Sequence, residues 1–208
     1  MIRTVLALIA CLSMTHVYAQ RNMRQIWIDM PDSLVEYLNA NKRTEMVDFY
    51  DMGVRAETTN LLTTKTVLDS IADDYAHVSL NECAKMQLAL LKTSAGDSLI
   101  CMVRTFMGEA AESVVSFYDA GWKPQDATKL MASVQPSQLM AKPDTMDVER
   151  YKQLVAFIDP VMMAADYDPE NKELVLSLAT PLLTNEEICQ VKAILLQRKL
   201  KWNGKIFN

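Results

Sequence analysis

Few residues in this chain are suited to doing chemistry. Its 208 residues include two histidines, four cysteines and five glycines. His16 falls in an apolar N-terminal stretch, so the rest of the chain carries His77 alone. One histidine rules out a multi-histidine metal site within a single chain. The glycines, at 53, 96, 108, 121 and 204, are too scattered to form a phosphate-cradling loop. The 14 methionines form no dense Met-x-x-Met array and read as adaptable filling rather than copper ligands. There is no basic block, and the formal net charge is −5, which argues against nucleic-acid partners and anionic membrane surfaces. There is no low-complexity tract either. Past the N-terminus, no apolar run approaches the roughly 20 residues that a membrane-spanning helix needs.

The N-terminus reads as an export signal. Arg3 supplies the positive charge and "TVLALIACL" an apolar core, and "VYA" offers small residues for a peptidase. The expected cleavage after Ala19 makes residues 1–19 a signal peptide and Gln20 the mature N-terminus. The alternative is lipidation at Cys11 of "LIAC". That leaves Val5–Ala10 as the apolar core, short of the roughly 7–15 residues such cores use. Either way the protein is exported. Cleavage leaves it periplasmic or secreted, whereas lipidation anchors it through Cys11. After cleavage, 20 Lys+Arg face 26 Asp+Glu. Cys83, Cys101 and Cys189 then remain, an odd number that leaves at least one thiol free.

Periodicity divides the remainder into elements. In "MPDSLVEYLNANKRTEMVDFYDMG", Leu34, Tyr37 and Leu38 recur at helical spacing, Thr44 is a candidate cap and Gly53 a stop. Two short helices or one kinked helix are expected over 31–52. "KTVLDSIADDYAHVSL" alternates like strand, and "AKMQLALLK" and "SLICMVRTF" flank the turn residues of "TSAGD". A hairpin centred on residues 95 and 96 sets Leu90 opposite Cys101 and Leu88 opposite Val103, with Gln87 on a mixed outer face. It also holds Cys83 roughly 23 Å along the strand from Cys101, too far for a disulfide. "ESVVSFYD" supplies a third strand. The proline-bearing 123–146 reads as a linker or long surface crossing. "DVERYKQLVAFI" reads as a helix. "PVMMAADYD" and "KELVLSLAT" form a hairpin around "DPEN", in which Asn171 suits a left-handed conformation. Thr184 and Glu187 open the last helix as a capping box, and Asn203-Gly204 marks a tight turn. "MVDFYDMG" and "VVSFYDAG" share several positions, but their flanks do not align and they read as coincidence.

The expected fold is α+β: antiparallel β-meanders with helices packed on one face. It forms either one domain or two small units, residues 20–122 and 147–208, joined by 123–146.

His77 neighbours Asp73, Asp74 and Ser79, but sequence neighbours on a strand make no triad, and it reads as a half-exposed strand histidine. Asp166, Asp168, Asn171 and Glu173 offer oxygen donors, yet they lack the glycine and spacing of a calcium loop. No residue is assigned a catalytic, cofactor-binding or metal role, and no cofactor is expected. "MPDSLVEYLNANKRTEMVDFYD", "DDY" at 73–75, "FYDAGW" at 117–122 and the terminal "KWNGKIF" resemble the DUF3256 family of exported Bacteroidales proteins. That resemblance implies a Gram-negative envelope or secreted protein and supplies no activity. The leading expectation is a non-enzymatic module that binds a protein, peptide or glycan. The alternative is a periplasmic hydrolase using dispersed carboxylates or His77.

Overall fold

The computed structural model describes residues 21–35, 37–180 and 183–208. Residues 1–20, and with them the expected signal peptide, Cys11 and Gln20, lie outside the described residues.

Helix α1 (Met23–Ile28) was not anticipated from periodicity. Asn22 caps it by accepting the Gln25 N–H, and Met23, Ile26 and Trp27 are buried. A 3-10 turn at Asp32–Leu34 leads to α2 (Ala40–Asp51). The cap of α2 is Asn39, which accepts the Lys42 N–H, and not Thr44. Thr44 lies inside the helix, and its hydroxyl donates to the Ala40 carbonyl. Asn39 wins because its short side chain reaches the free N–H groups of the first turn. Gly53 ends the helix in a left-handed conformation at φ +70°, as expected.

Seven antiparallel strands follow, ordered in the sheet as they are in the chain. They are β1 (Glu57–Thr59), β2 (Lys65–Ile71), β3 (Tyr75–Asn81), β4 (Ala84–Lys92), β5 (Ser98–Met107), β6 (Ala111–Asp119) and β7 (Pro124–Gln125). Residues 126–146 carry helix α3 (Ala127–Leu130), a 3-10 turn at Pro136–Leu139 and single bridges from Met131 to Phe207 and from Met140 to Leu195. Helix α4 (Val148–Ala156) precedes the hairpin β8 (Met162–Asp168) and β9 (Glu173–Ala179). Helix α5 (Asn185–Val191) opens with the Thr184–Glu187 capping box. Strand β10 (Arg198–Lys201) completes a three-stranded sheet in the order β10-β9-β8. The architecture is α+β, and every strand pair within the two sheets is antiparallel, the isolated Met131–Phe207 bridge being parallel. In the β8–β9 turn the left-handed residue is Lys172, at φ +55°, not Asn171. Asp168 fixes that turn, its side chain accepting the Glu170 and Asn171 N–H groups.

The seven-stranded sheet has a core on each face. Leu88, Ile100 and Met102 join Ile26, Trp27 and Met46 of the N-terminal helices in one cluster. Ala89, Leu91, Cys101, Val103 and Phe117 join Leu174, Leu176 and Phe207 in the other, with Leu154 and Val191.

The β4–β5 register differs from the expected one by a single residue. Leu90 pairs with Ile100, Leu88 with Met102 and Gln87 with Val103. The cause is the turn. Thr93 N–H donates to Asp97 and Gly96 N–H to Thr93, with Gly96 left-handed at φ +92°. This is a three-residue loop closed by a glycine bulge rather than a two-residue turn. A one-residue slip exchanges faces, so Cys101 and Val103 face away from Leu88 and Leu90.

Cys83, Cys101 and Cys189 are all free thiols, with Cys101 alone buried. Burial pushes the Cys101 thiol up to about 12, which suppresses the reactive thiolate at neutral and mildly alkaline pH. With residues 20–208 under native conditions at pH 8, iodoacetamide should add two labels by intact mass. A third should appear only in denaturant. Three rapid labels in the native protein would show that the Cys101 face is open.

Candidate functional site

Strand β8 does not lie along the strands of the large sheet but crosses them. Ala165 meets β6, where its carbonyl accepts the Ser113 hydroxyl at 3.2 Å. Two residues on, Tyr167 meets β4. Its N–H donates to Gln87 Oε1 at 3.0 Å, and its carbonyl accepts from Gln87 Nε2 at 3.2 Å. The Gln87 amide thus takes the place of a neighbouring strand and satisfies a backbone edge that β9, on the other side, cannot reach. Gln87 is buried, at 5 % exposure, contrary to the mixed outer face expected for it.

Beyond this crossing opens a cleft of about 690 Å³. Its walls carry Tyr75 and Lys85 from β3 and β4, Thr105 from β5, Asp166 from β8, Ser177 from β9 and Gln197. Alternation explains the wall: Asp166 pairs with Val175 and Ala164 with Ser177, so these side chains share one side of the small sheet. Their neighbours Leu174, Leu176 and Leu178 are buried in the core. Lys85 Nζ lies 3.5 Å from Asp166 Oδ1. Tyr75 stacks on Tyr167 with ring centroids 5.9 Å apart, and its hydroxyl accepts from Gln87 Nε2 at 2.9 Å. Burial raises both phenols above the ordinary tyrosine range. At neutral pH Tyr75 is therefore an uncharged hydroxyl with its own hydrogen still to donate. The site offers one cation, carboxylates at its rim, neutral donors and an aromatic pair, all suited to holding a polar ligand by hydrogen bonds.

Of the residues singled out from sequence, Asp166 and Asp168 of β8 line the cleft, and the others sit elsewhere or serve the fold. His77 lies on β3 with Nδ1 3.7 Å from Asp69 Oδ2, and the same carboxylate oxygen accepts the Ser79 hydroxyl at 2.8 Å. The carboxylate is therefore central, whereas a Ser/His/Asp relay needs the imidazole between the other two. Asp74 pairs with Lys172 at 3.3 Å. Asp166 joins the cleft, while Asp168 closes the β8–β9 turn and Glu173 lies near Lys199 at 3.8 Å. Among the described residues, no group of three or more His, Cys, Asp or Glu side chains is placed to hold a metal ion. No described helix is long and apolar enough to cross a membrane.

Two residues escaped sequence reasoning. Gln87 looked like one polar position in a strand. Nothing in "NANKRTE" sets Arg43 apart from its charged neighbours, yet it is 1 % exposed. The only available signal for Gln87 was a lone amide within the apolar run "MQLALL".

No curated protein matches the chain. A solved domain of an uncharacterized protein from Porphyromonas gingivalis W83 shares the fold, with a TM-score of 0.73 at 17% identity, covering 89% of this chain and 98% of that one. The profile of a family described as a protein of unknown function, DUF3256, matches residues 14–207. The chain therefore belongs to the DUF3256 family.

Proposed function

We propose that this protein is an exported, non-enzymatic binding module of the cell envelope that holds a peptide or glycan in the cleft beside β8. The observation carrying this reading is the convergence of Tyr75, Lys85, Asp166 and Gln197 on one open cleft whose floor is braced by the Gln87 amide. Bracing matters because a ligand gains affinity when the groups that meet it are already ordered. Export rests on the reading of residues 1–19 and belongs to the same proposal.

A pull-down from native Bacteroidales envelope extract tests the proposal, comparing the wild type with Lys85→Ala/Asp166→Ala. Both side chains are partly exposed, at 29% and 60%, so the double variant should fold. The wild type should retain a component that the variant loses by at least about tenfold, equivalent to ~1.4 kcal/mol. Equal retention by both proteins would overturn the cleft as the site. Cleavage of the captured component, seen by mass spectrometry and dependent on His77 or a cleft carboxylate, would favour the hydrolase reading.

A further inference from the structure

Strand β6 is paired along only part of its outer edge. Strand β7 supplies two residues, Gln125 and Pro124, opposite Phe117 and Tyr118. Asp119 N–H donates to Lys123, so odd-numbered residues of β6 turn their backbone groups outward. Among the described residues, the outward N–H groups of Ser113 and Val115 donate to no partner and their C=O groups accept from none. The edge over 111–116 reads "AESVVS", with no proline, lysine or arginine and with Glu112 as its one charge. Sheet edges are ordinarily blunted by such residues, and no bulge interrupts the β5–β6 pairing here.

The two faces beside this edge are hollow and mainly apolar, with Arg104, Ser33 and Ser116 also lining one of the hollows. On one, Val114 and Phe106 are 53% and 48% exposed. With Leu34 and Tyr118 they line a cavity of about 190 Å³. On the other, Val115, Met131, Val134 and Met163 line a second cavity of about 190 Å³. A strand laid against β6 sends successive side chains to opposite faces, one into each cavity.

We infer that the open edge of β6 over residues 111–116 takes an extended peptide segment of a partner protein as an eighth strand, continuing the line begun by β7. Only an extended chain presents donors and acceptors at the two-residue repeat of Ser113 and Val115. The cavities on both faces call for consecutive apolar, β-branched or leucine side chains. Pairing along the vacant stretch occupies about six residues, roughly 20 Å. This site adjoins the cleft beside β8, with Ala164 and Ala165 lining both, but it does not use Lys85 or Asp166.

The test uses residues 20–208 and a displayed library of random octapeptides. Selected peptides should share a proline-free apolar core of four to six residues. Val114→Lys sets a charge on the exposed edge and should weaken their binding at least tenfold with an unchanged melting temperature. Val115→Pro removes one outward N–H and should do the same; if it unfolds, Val114→Lys alone decides. N-methylating alternate residues along one edge of a selected peptide should abolish binding, and along the other edge should not. Lys85→Ala/Asp166→Ala should bind these peptides like the wild type. Several outcomes overturn the inference: no enrichment, enriched peptides indifferent to Val114→Lys, or tolerance of N-methylation along both edges. A concentration-dependent dimer dissolved by Val114→Lys also overturns it, because the occupant is then a second copy of this chain.

Discussion

Replacing Arg43 by methionine should destabilise the protein by about 3–5 kcal/mol, a large share of the ~5–15 kcal/mol that holds a domain together. The guanidinium is buried beneath α2, where it donates to the carbonyls of Ile28, Met30 and Leu38. These carbonyls lie where the chain leaves α1 and reverses into α2, beyond the reach of any helical ladder. Arg43 also meets Asp32 at 2.9 Å, but that carboxylate is 59% exposed. The ion pair is therefore the weaker contribution, because solvent screens it. Methionine fills the same space and leaves three carbonyl groups without their donor. Arg43→Lys keeps the charge but has no planar fork, so an intermediate loss is expected. Asp32→Asn should cost about 1 kcal/mol or less. Urea unfolding of the three variants decides the order by midpoint at constant slope. If Asp32→Asn proves as damaging as Arg43→Met, the ion pair and not the carbonyl cluster holds this corner.

Gln87→Leu should lower stability by about 2–5 kcal/mol, because it strips both the N–H and the carbonyl of Tyr167 of their partner. At roughly 2–4 °C per kcal/mol for a chain of this size, the melting temperature should fall by about 4–20 °C. Gln87→Glu should be damaging too, since a carboxylate accepts from the N–H but faces the carbonyl with a like charge. The half-buried Leu90 makes the contrast: Leu90→Ala should cost less than Gln87→Leu. Scanning calorimetry measures the loss, and hydrogen exchange at the Tyr167 amide locates it. If Gln87→Leu melts within a degree of the wild type, β8 does not depend on β4 for its edge.

These two residues also mark the limit of what the sequence makes legible. The helix over 40–51, the antiparallel hairpins, the Thr184–Glu187 cap and the Asn203-Gly204 turn are written locally, in side chains that bond their own backbone neighbours. The identity of the two sheet faces is not local. Strands β4 and β5 are covered on both sides, so "LALL" and "LICMV" are apolar at successive positions and carry no period-2 signal. With both faces apolar, only the turn fixes the register, and "TSAGD" admits both a two-residue and a three-residue loop. Gln87 satisfies a backbone far away in the chain, Tyr167 lying 80 residues on, whereas Arg43 serves carbonyls 5 to 15 residues back that converge only once α1 has turned into α2. No local pattern of side chains marks either contact. The cleft was hidden for the same reason, because Lys85 and Asp166 meet only once β8 has crossed the large sheet.

Strand order in the large sheet equals chain order, and that fixes a direction of assembly. Each strand from β2 to β6 pairs with one that has just preceded it, across a short turn, so loop closure costs little at every step. A chain emerging N-terminus first can lay this wall strand by strand and cover one side with helices already delivered. The opposite side has to wait. Its cluster includes Leu174, Leu200 and Phe207, and Phe207 N–H donates back to the Leu130 carbonyl while its own carbonyl accepts from Ala132. Until those last residues arrive, Ala89, Cys101 and Phe117 face water. A half-delivered chain thus presents an uncovered apolar wall, and its most vulnerable interval lies between completion of β6 and the docking of Phe207.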